Sequence, residues 1–154
     1  MGRAFAEPAE LANWVRRIQK CLLSREVLYS VNYPELSIPV KEGRNPPFII
    51  ITAIENASTK RPAYAEYLRN DLIPAYKKAG VDGVLVSRRR FGTNARQWLM
   101  ITFLDKMAEL DEPHPLMKSL GQEKWGELRR KGGALIVHRQ RYVFAPQPDL
   151  SFVT

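Results

Sequence analysis

The stretch Phe48-Ile49-Ile50-Ile51-Thr52-Ala53-Ile54 decides the fold. It is β-branched and almost wholly apolar, with no polar alternation. A strand with one wet face alternates, whereas an unbroken apolar run is buried on both faces and belongs in the middle of a sheet. Working outward, Asn56 to Thr59 is turn chemistry, with Ser58 or Thr59 placed to cap the next helix. Arg61 to Lys78 then repeats Tyr64, Tyr67, Leu68, Leu72, Ile73 and Tyr76 at three- and four-residue spacing, which is a helical stripe. Pro74 falls inside it and should bend or break the helix within Asn70 to Tyr76. Gly80 suits a left-handed cap at its end.

Gly83 to Phe91 and Gln97 to Leu104 read as two more strands, joined by a hairpin at Gly92-Thr-Asn-Ala95. Asp105 to Leu120 is broken by Pro113 and Pro115, so it gives two short helical pieces. Gln122 to Lys131 is a helix with Trp125 and Leu128 inward, ended by Gly132-Gly133. Ala134 to Phe144 is the last strand, stopped by Pro146 and Pro148. Strand, helix, strand, strand, helix, strand is the ferredoxin-like βαββαβ order, an α+β antiparallel sheet with its helices on one face. The first and third strands should be central and the second and fourth at the edges. There Arg88, Arg89, Arg90, Arg139 and Arg141 would guard against stray pairing.

Residues 1–47 look different, and the chain divides into 1–47 and 48–154. Leu11, Trp14, Val15, Ile18, Leu22 and Leu23 make a helical stripe over Ala9 to Leu23, with Pro8 in the first turn. Glu26 to Val31 reads as a short strand, and Tyr33 to Pro47 as a Pro-rich connector. Ala12-Asn-Trp-Val-Arg16 echoes Ala65-Glu-Tyr-Leu-Arg69. The echo admits two readings: the remnant of a second, degenerate copy, or a packing helix with chance similarity.

At 154 residues the chain can bury a core without staples, and 45% hydrophobic with 26% charged residues excludes disorder. The longest apolar runs fall far short of the ~20 residues that span a bilayer. A lone cysteine, Cys21, excludes an internal disulfide and fits a reducing, cytoplasmic setting. Beside Leu22 and Leu23 it reads as a small core residue. A net charge of +8 raises nucleic acid or an anionic small molecule as partners.

Several segments resemble the dimeric α/β-barrel superfamily, which includes antibiotic-biosynthesis monooxygenase-like and NIPSNAP-like proteins. They are Leu72-Ile-Pro-Ala-Tyr-Lys-Lys-Ala-Gly-Val81, Phe91-Gly-Thr-Asn with Trp98 beyond it, Ala108-Glu-Leu-Asp with His114-Pro-Leu, and Pro148-Asp-Leu-Ser-Phe152. The resemblance covers about residues 48–152. It implies a homodimer whose sheets pack face to face around a pocket in each protomer. On that reading Val84, Val86, Trp98 and Met100 are candidates for the covered face, unless the N-terminal helix covers it instead. The resemblance also raises haem on one histidine, for which His138 is the candidate. The plainer reading of His138 is a sheet histidine with satisfied hydrogen bonds.

The chemistry that can be read is sparse. No GxSxG, Walker loop or GxGxxG is present, and no catalytic base can be picked out. His114 and His138 are the only histidines and lack ligand spacing, so no metal site is expected. No cofactor is expected either. His114, between two prolines, suits a helix-start hydrogen bond. The best pocket suppliers are Trp98, His138, Tyr142 and Phe144. His138, Gln140, Tyr142 and Phe144 share one parity with Ile136. Parity alone leaves cavity and core open, but burying both His138 and Gln140 under helices would need two sets of partners, which favours the cavity. Arg88 and Arg90 share a strand face, as do Arg139 and Arg141, and the pairs would merge into an anion patch if the edge strands met across a dimer.

The expected function is therefore binding of a small hydrophobic or aromatic molecule by a homodimer, with cofactor-free, monooxygenase-like turnover left open. The alternatives are a basic nucleic-acid-binding module and a non-catalytic interaction subunit. Specific nucleic-acid binding is not expected, because Phe48-Ile-Ile-Ile-Thr and Trp98-Leu-Met-Ile-Thr offer one aromatic each and lack the RNA-recognition pattern. No membrane partner is expected.

Overall fold

A computed structural model describes residues 8–21, 23, 28–91 and 97–147. The elements in chain order are α1 (Pro8–Gln19), β1 (Tyr29–Asn32), β2 (Phe48–Glu55), α2 (Arg61–Tyr67), α3 (Ile73–Lys78), β3 (Val84–Phe91), β4 (Gln97–Leu104), α4 (Pro115–Leu120), α5 (Gln122–Gly133) and β5 (His138–Phe144). The five strands form one antiparallel sheet in the order β1-β3-β4-β2-β5. This is the ferredoxin-like α+β fold with one added strand.

The apolar β2 lies inside the sheet, paired over its whole length with β4 on one side and from Ile49 to Glu55 with β5 on the other. The arginine-bearing β3 is not an edge, contrary to expectation. β1 pairs beyond it, with Val31 opposite Arg88 and Asn32 opposite Ser87. Its arginines are therefore placed by partners within the sheet: Arg88 lies 5.8 Å over the Trp98 ring, and Arg89 hydrogen-bonds Gln97. β1 leads through Tyr33, Leu36 and Ile38, which pack on the main core, with Leu36 itself fully buried.

Helices α2 to α5 share one face of the sheet. Their stripe is buried as its spacing requires: Tyr64, Tyr67, Leu68, Leu72, Ile73 and Tyr76 meet Ile54, Val84, Val86 and Trp98 from the strands, with Leu116 of α4 beside them. Val84, Val86, Trp98 and Met100 thus belong to the helix-covered core, not to the opposite face. Pro74 leaves its mark just before itself. The helix widens into a π turn at Leu68–Leu72, and Ile73 N–H donates to the Leu68 carbonyl five residues back. The wider turn accommodates a ring that would crowd the Asn70 carbonyl and an N–H that is missing.

Other local features depart from expectation. Neither Ser58 nor Thr59 caps α2; Ser58 Oγ accepts instead from Arg61 Nη2 at 3.1 Å. α5 continues through Gly132 and Gly133. β5 begins only at His138, because the amides of Leu135 and Ile136 turn back to the Gly132 and Gly133 carbonyls. Cys21 is exposed rather than core, since it follows a helix none of whose described side chains is buried; Leu11 and Trp14 of α1 are also exposed. The expected hairpin at Gly92–Ala95, Leu22 and the segment Pro148–Phe152 lie outside the described residues. Among the described residues, no helix is long and apolar enough to cross a membrane.

Candidate functional site

Strand register decides which side chains share the face that the helices leave open. Opposed residues of an antiparallel pair point to the same side, and successive residues to opposite sides. One row runs across all five strands through Ser30, Arg89, Gln97, Glu55 and His138. The next holds Asn32, Ser87, Leu99, Ala53 and Gln140. Then come Leu85, Ile101, Ile51 and Tyr142, and finally Phe103, Ile49 and Phe144. The open face is therefore polar at one end and apolar at the other.

The polar end is ordered. Gln97 is only 5% exposed, and its Oε1 accepts from Arg89 Nη1 at 2.7 Å. Glu55 stands between Gln97 and His138 in the row. The apolar end is open to solvent: Tyr142 and Phe144 are 45% and 48% exposed, with rings 6.3 Å apart, and Tyr142 O–H donates to Gln140 Oε1 at 2.8 Å.

Of the pocket residues expected from sequence, His138, Tyr142 and Phe144 come together on this face. Trp98 does not join them. It is 3% exposed on the helix side, packed on Tyr33 at 5.2 Å and Tyr64 at 6.0 Å. Parity within β5 is readable from sequence, but parity between β4 and β5 depends on register, which places Gln97 and not Trp98 on the open side. The four arginines of the expected patch share the helix-side parity, Arg139 being opposite Ile54 and Arg141 opposite Thr52. Arg90 donates to Tyr33 Oη at 3.3 Å. Within one chain they form two separate pairs, with β4 and β2 between them, roughly 14 Å apart at ~4.8 Å per strand spacing. Arg89, Gln97 and Glu55 are not site candidates by sequence; the alternation of Arg88, Arg89 and Arg90 is the one signal that the middle arginine differs from its neighbours.

His138 is exposed at the sheet margin beside Glu55. A haem held there would sit at the solvent-exposed margin beside a carboxylate, so the residues present do not form a haem pocket. No group of three metal-ligating side chains gathers among the described residues.

His114 lies on the other side of the molecule and has a structural task. Its Nδ1 accepts from Leu116 N–H at 3.2 Å at the start of α4, and its ring stacks on Trp125 at 4.5 Å and 9°. An accepting Nδ1 puts the proton on Nε2, which faces Tyr76 Oη at 3.5 Å. Burial, with Arg141 and Arg129 adding, lowers its pKa to about 4. The folded pKa thus lies below the ordinary value near 6.5. Stability is then fully present above about pH 6.5 and falls as pH drops towards about 4, because only the unfolded chain takes up the proton. Allowing for solvent screening of a partly exposed ring, the loss should be about 1–2 kcal/mol. Urea midpoints at pH 7.5 and 4.5 check this. His114→Asn keeps a capping acceptor and should flatten the difference; equal pH dependence in both proteins would exclude it.

No protein-family model matches the sequence, and no curated protein does. Solved structures share the fold. A candidate monooxygenase from Lactobacillus acidophilus NCFM superposes with a TM-score of 0.56 at 11% identity, covering 90% of this chain and 60% of that one. A candidate monooxygenase from Fusobacterium nucleatum subsp. nucleatum gives 0.53 at 11% identity, covering 84% and 57%. A protein from Agrobacterium tumefaciens gives 0.51 at 15% identity, covering 70% of this chain and 99% of that one. The chain thus spans about 60% of the length of the two candidate monooxygenases. The likeness is one of fold alone.

Proposed function

We propose that this chain binds a small hydrophobic or aromatic molecule on the open sheet face, and that a second copy covers that face to close the pocket. The observation that carries the reading is the face itself. Ile49, Ile51, Leu99, Ile101 and Phe103 line a sheet surface that no helix of the described residues covers, and Leu85, Tyr142 and Phe144 stand exposed on it. An apolar surface of this kind marks an interaction site, and the fold neighbours described as candidate monooxygenases support a small-molecule occupant. His138, Tyr142 and Phe144 are its proposed ligand contacts. Turnover in the manner of cofactor-free oxygenases is the accompanying proposal, with kinship to NIPSNAP-like proteins as its background.

A stable homodimer interface should bury upwards of ~1,200 Å² in total. Light scattering at tens of micromolar should therefore give twice the 17.7 kDa chain mass. Native mass spectrometry of protein from its own host should show retained ligand on the dimer. A monomer mass with no adduct would overturn the reading.

A further inference from the structure

The open face carries a cation that no acid among the described residues neutralises. Arg89 is half-buried, its Nη1 bonds a neutral amide, and its Nε is buried with no partner. The ion pairs among the described residues join Arg44 to Asp82 and Asp105, Lys118 to Glu112, and Lys131 to Asp71, and leave Arg89 out. The sequence from Leu85 to Leu104 contains no acid. Among the described strand residues of this face the acid in register is Glu55, one strand beyond Gln97 and so about 10 Å from Arg89 across two strand spacings. A partly desolvated guanidinium without a counter-ion is unfavourable. Gln97 nevertheless holds it in one orientation, at the head of the apolar rows.

We propose that Arg89 is the specificity residue of this face: it takes the carboxylate of a ligand whose apolar body lies along Leu99, Ile101 and Ile51. The proposal rests on the reading of the open face as the ligand site. Leu99 lies two residues from the polar row on β4 and Ile101 four, so head and body are separated by about 7–14 Å at ~3.4 Å per residue. That suits a molecule of two or more fused rings, or a chain of similar length. A single negative charge fits better than a phosphate dianion, because Glu55 shares the face. A planar guanidinium also matches a carboxylate in geometry.

The probes are 2-naphthoate and its neutral isostere 2-naphthamide, titrated calorimetrically into the full chain. The native protein should bind the carboxylate at least tenfold more tightly than the amide. Arg89→Gln should remove that preference, and Arg89→Lys should keep part of it. Ile101→Gln, with folding checked by circular dichroism, should weaken both probes. If Arg89→Gln keeps the preference while Ile101→Gln still weakens both probes, the face is the site and Arg89 is not its specificity residue. If neither probe binds, or Ile101→Gln changes nothing, the reading of the face falls and the proposal falls with it.

Discussion

Gly132→Ala should destabilise the fold by roughly 2–4 kcal/mol, against the direction that helix propensity gives. In an unconstrained helix, Ala is better than Gly by about 1 kcal/mol. At position 132, however, a Cβ would meet Tyr67 Cζ and Oη at 2.7 Å and Cε1 at 2.9 Å. Tyr67 is buried, and its O–H donates to the Leu128 carbonyl at 3.2 Å, so the ring cannot simply swing away. Overpacking adds about 1–3 kcal/mol and an orphaned buried hydroxyl about 1–3 more. The neighbouring glycine is the control. A Cβ on Gly133 meets nothing within 4 Å, so Gly133→Ala should be neutral or gain up to about 1 kcal/mol. Urea unfolding of the two variants should move the midpoint in opposite senses. Two equal shifts would mean that α5 does not press on Tyr67.

That contact also explains why the end of α5 is not legible in the sequence. Gly132-Gly133 has the composition of a helix stop, and nothing local reveals that position 132 lacks a side chain to let two helices approach. The same distinction runs through the rest of the chain. The long, strongly periodic segments are legible: the apolar β2, the buried stripe of α2 and α3, and the disturbance before Pro74. Each depends on interactions within a few residues or on gross burial. The added strand β1 is legible as a strand, but its partner is not. Pairing with β3 is a long-range event, and it turns an expected edge into an interior strand.

The site divides in the same way. Alternation alone puts His138, Tyr142 and Phe144 on one side of their strand. Which residues of β4 join them depends on the pairing of Glu55 with Gln97, a register no single strand contains. One residue of slip exchanges Gln97 for Trp98, and with it a polar end for an aromatic wall. The sequence therefore shows an aromatic-bearing strand and a basic zone, while the open face has a polar row headed by Arg89. Composition identifies the cationic excess, but only topology separates arginines that pack on Trp98 and Tyr33 from the one on the open side.

The second large effect is expected at Gly83, where fold and open face meet. Its φ is +74°, and a Cβ there would lie 2.7 Å from Phe103 Cδ2 and 3.0 Å from both Phe103 Cε2 and Val40 Cγ2. Two separate costs arise in Gly83→Ala. The left-handed backbone costs about 1–2 kcal/mol for a residue with a Cβ, and the collision with Phe103 and Val40 about 1–3. Gly80 isolates the first, since its φ is +67° and a Cβ there meets nothing within 4 Å. Gly80→Ala should therefore lose about 1–2 kcal/mol and Gly83→Ala about 2–5. The difference should shrink when Phe103 is shortened in Gly83→Ala/Phe103→Leu, because the smaller side chain gives way while the backbone strain stays. Phe103 faces the open side opposite Ile49, so the displaced ring should also lower affinity for an apolar probe in the single variant. Denaturant midpoints and probe titration on the native protein and these three variants decide it: equal losses at Gly80 and Gly83 would mean that Phe103 does not rest on the backbone at Gly83, and that the apolar end of the face is less firmly built than the packing implies.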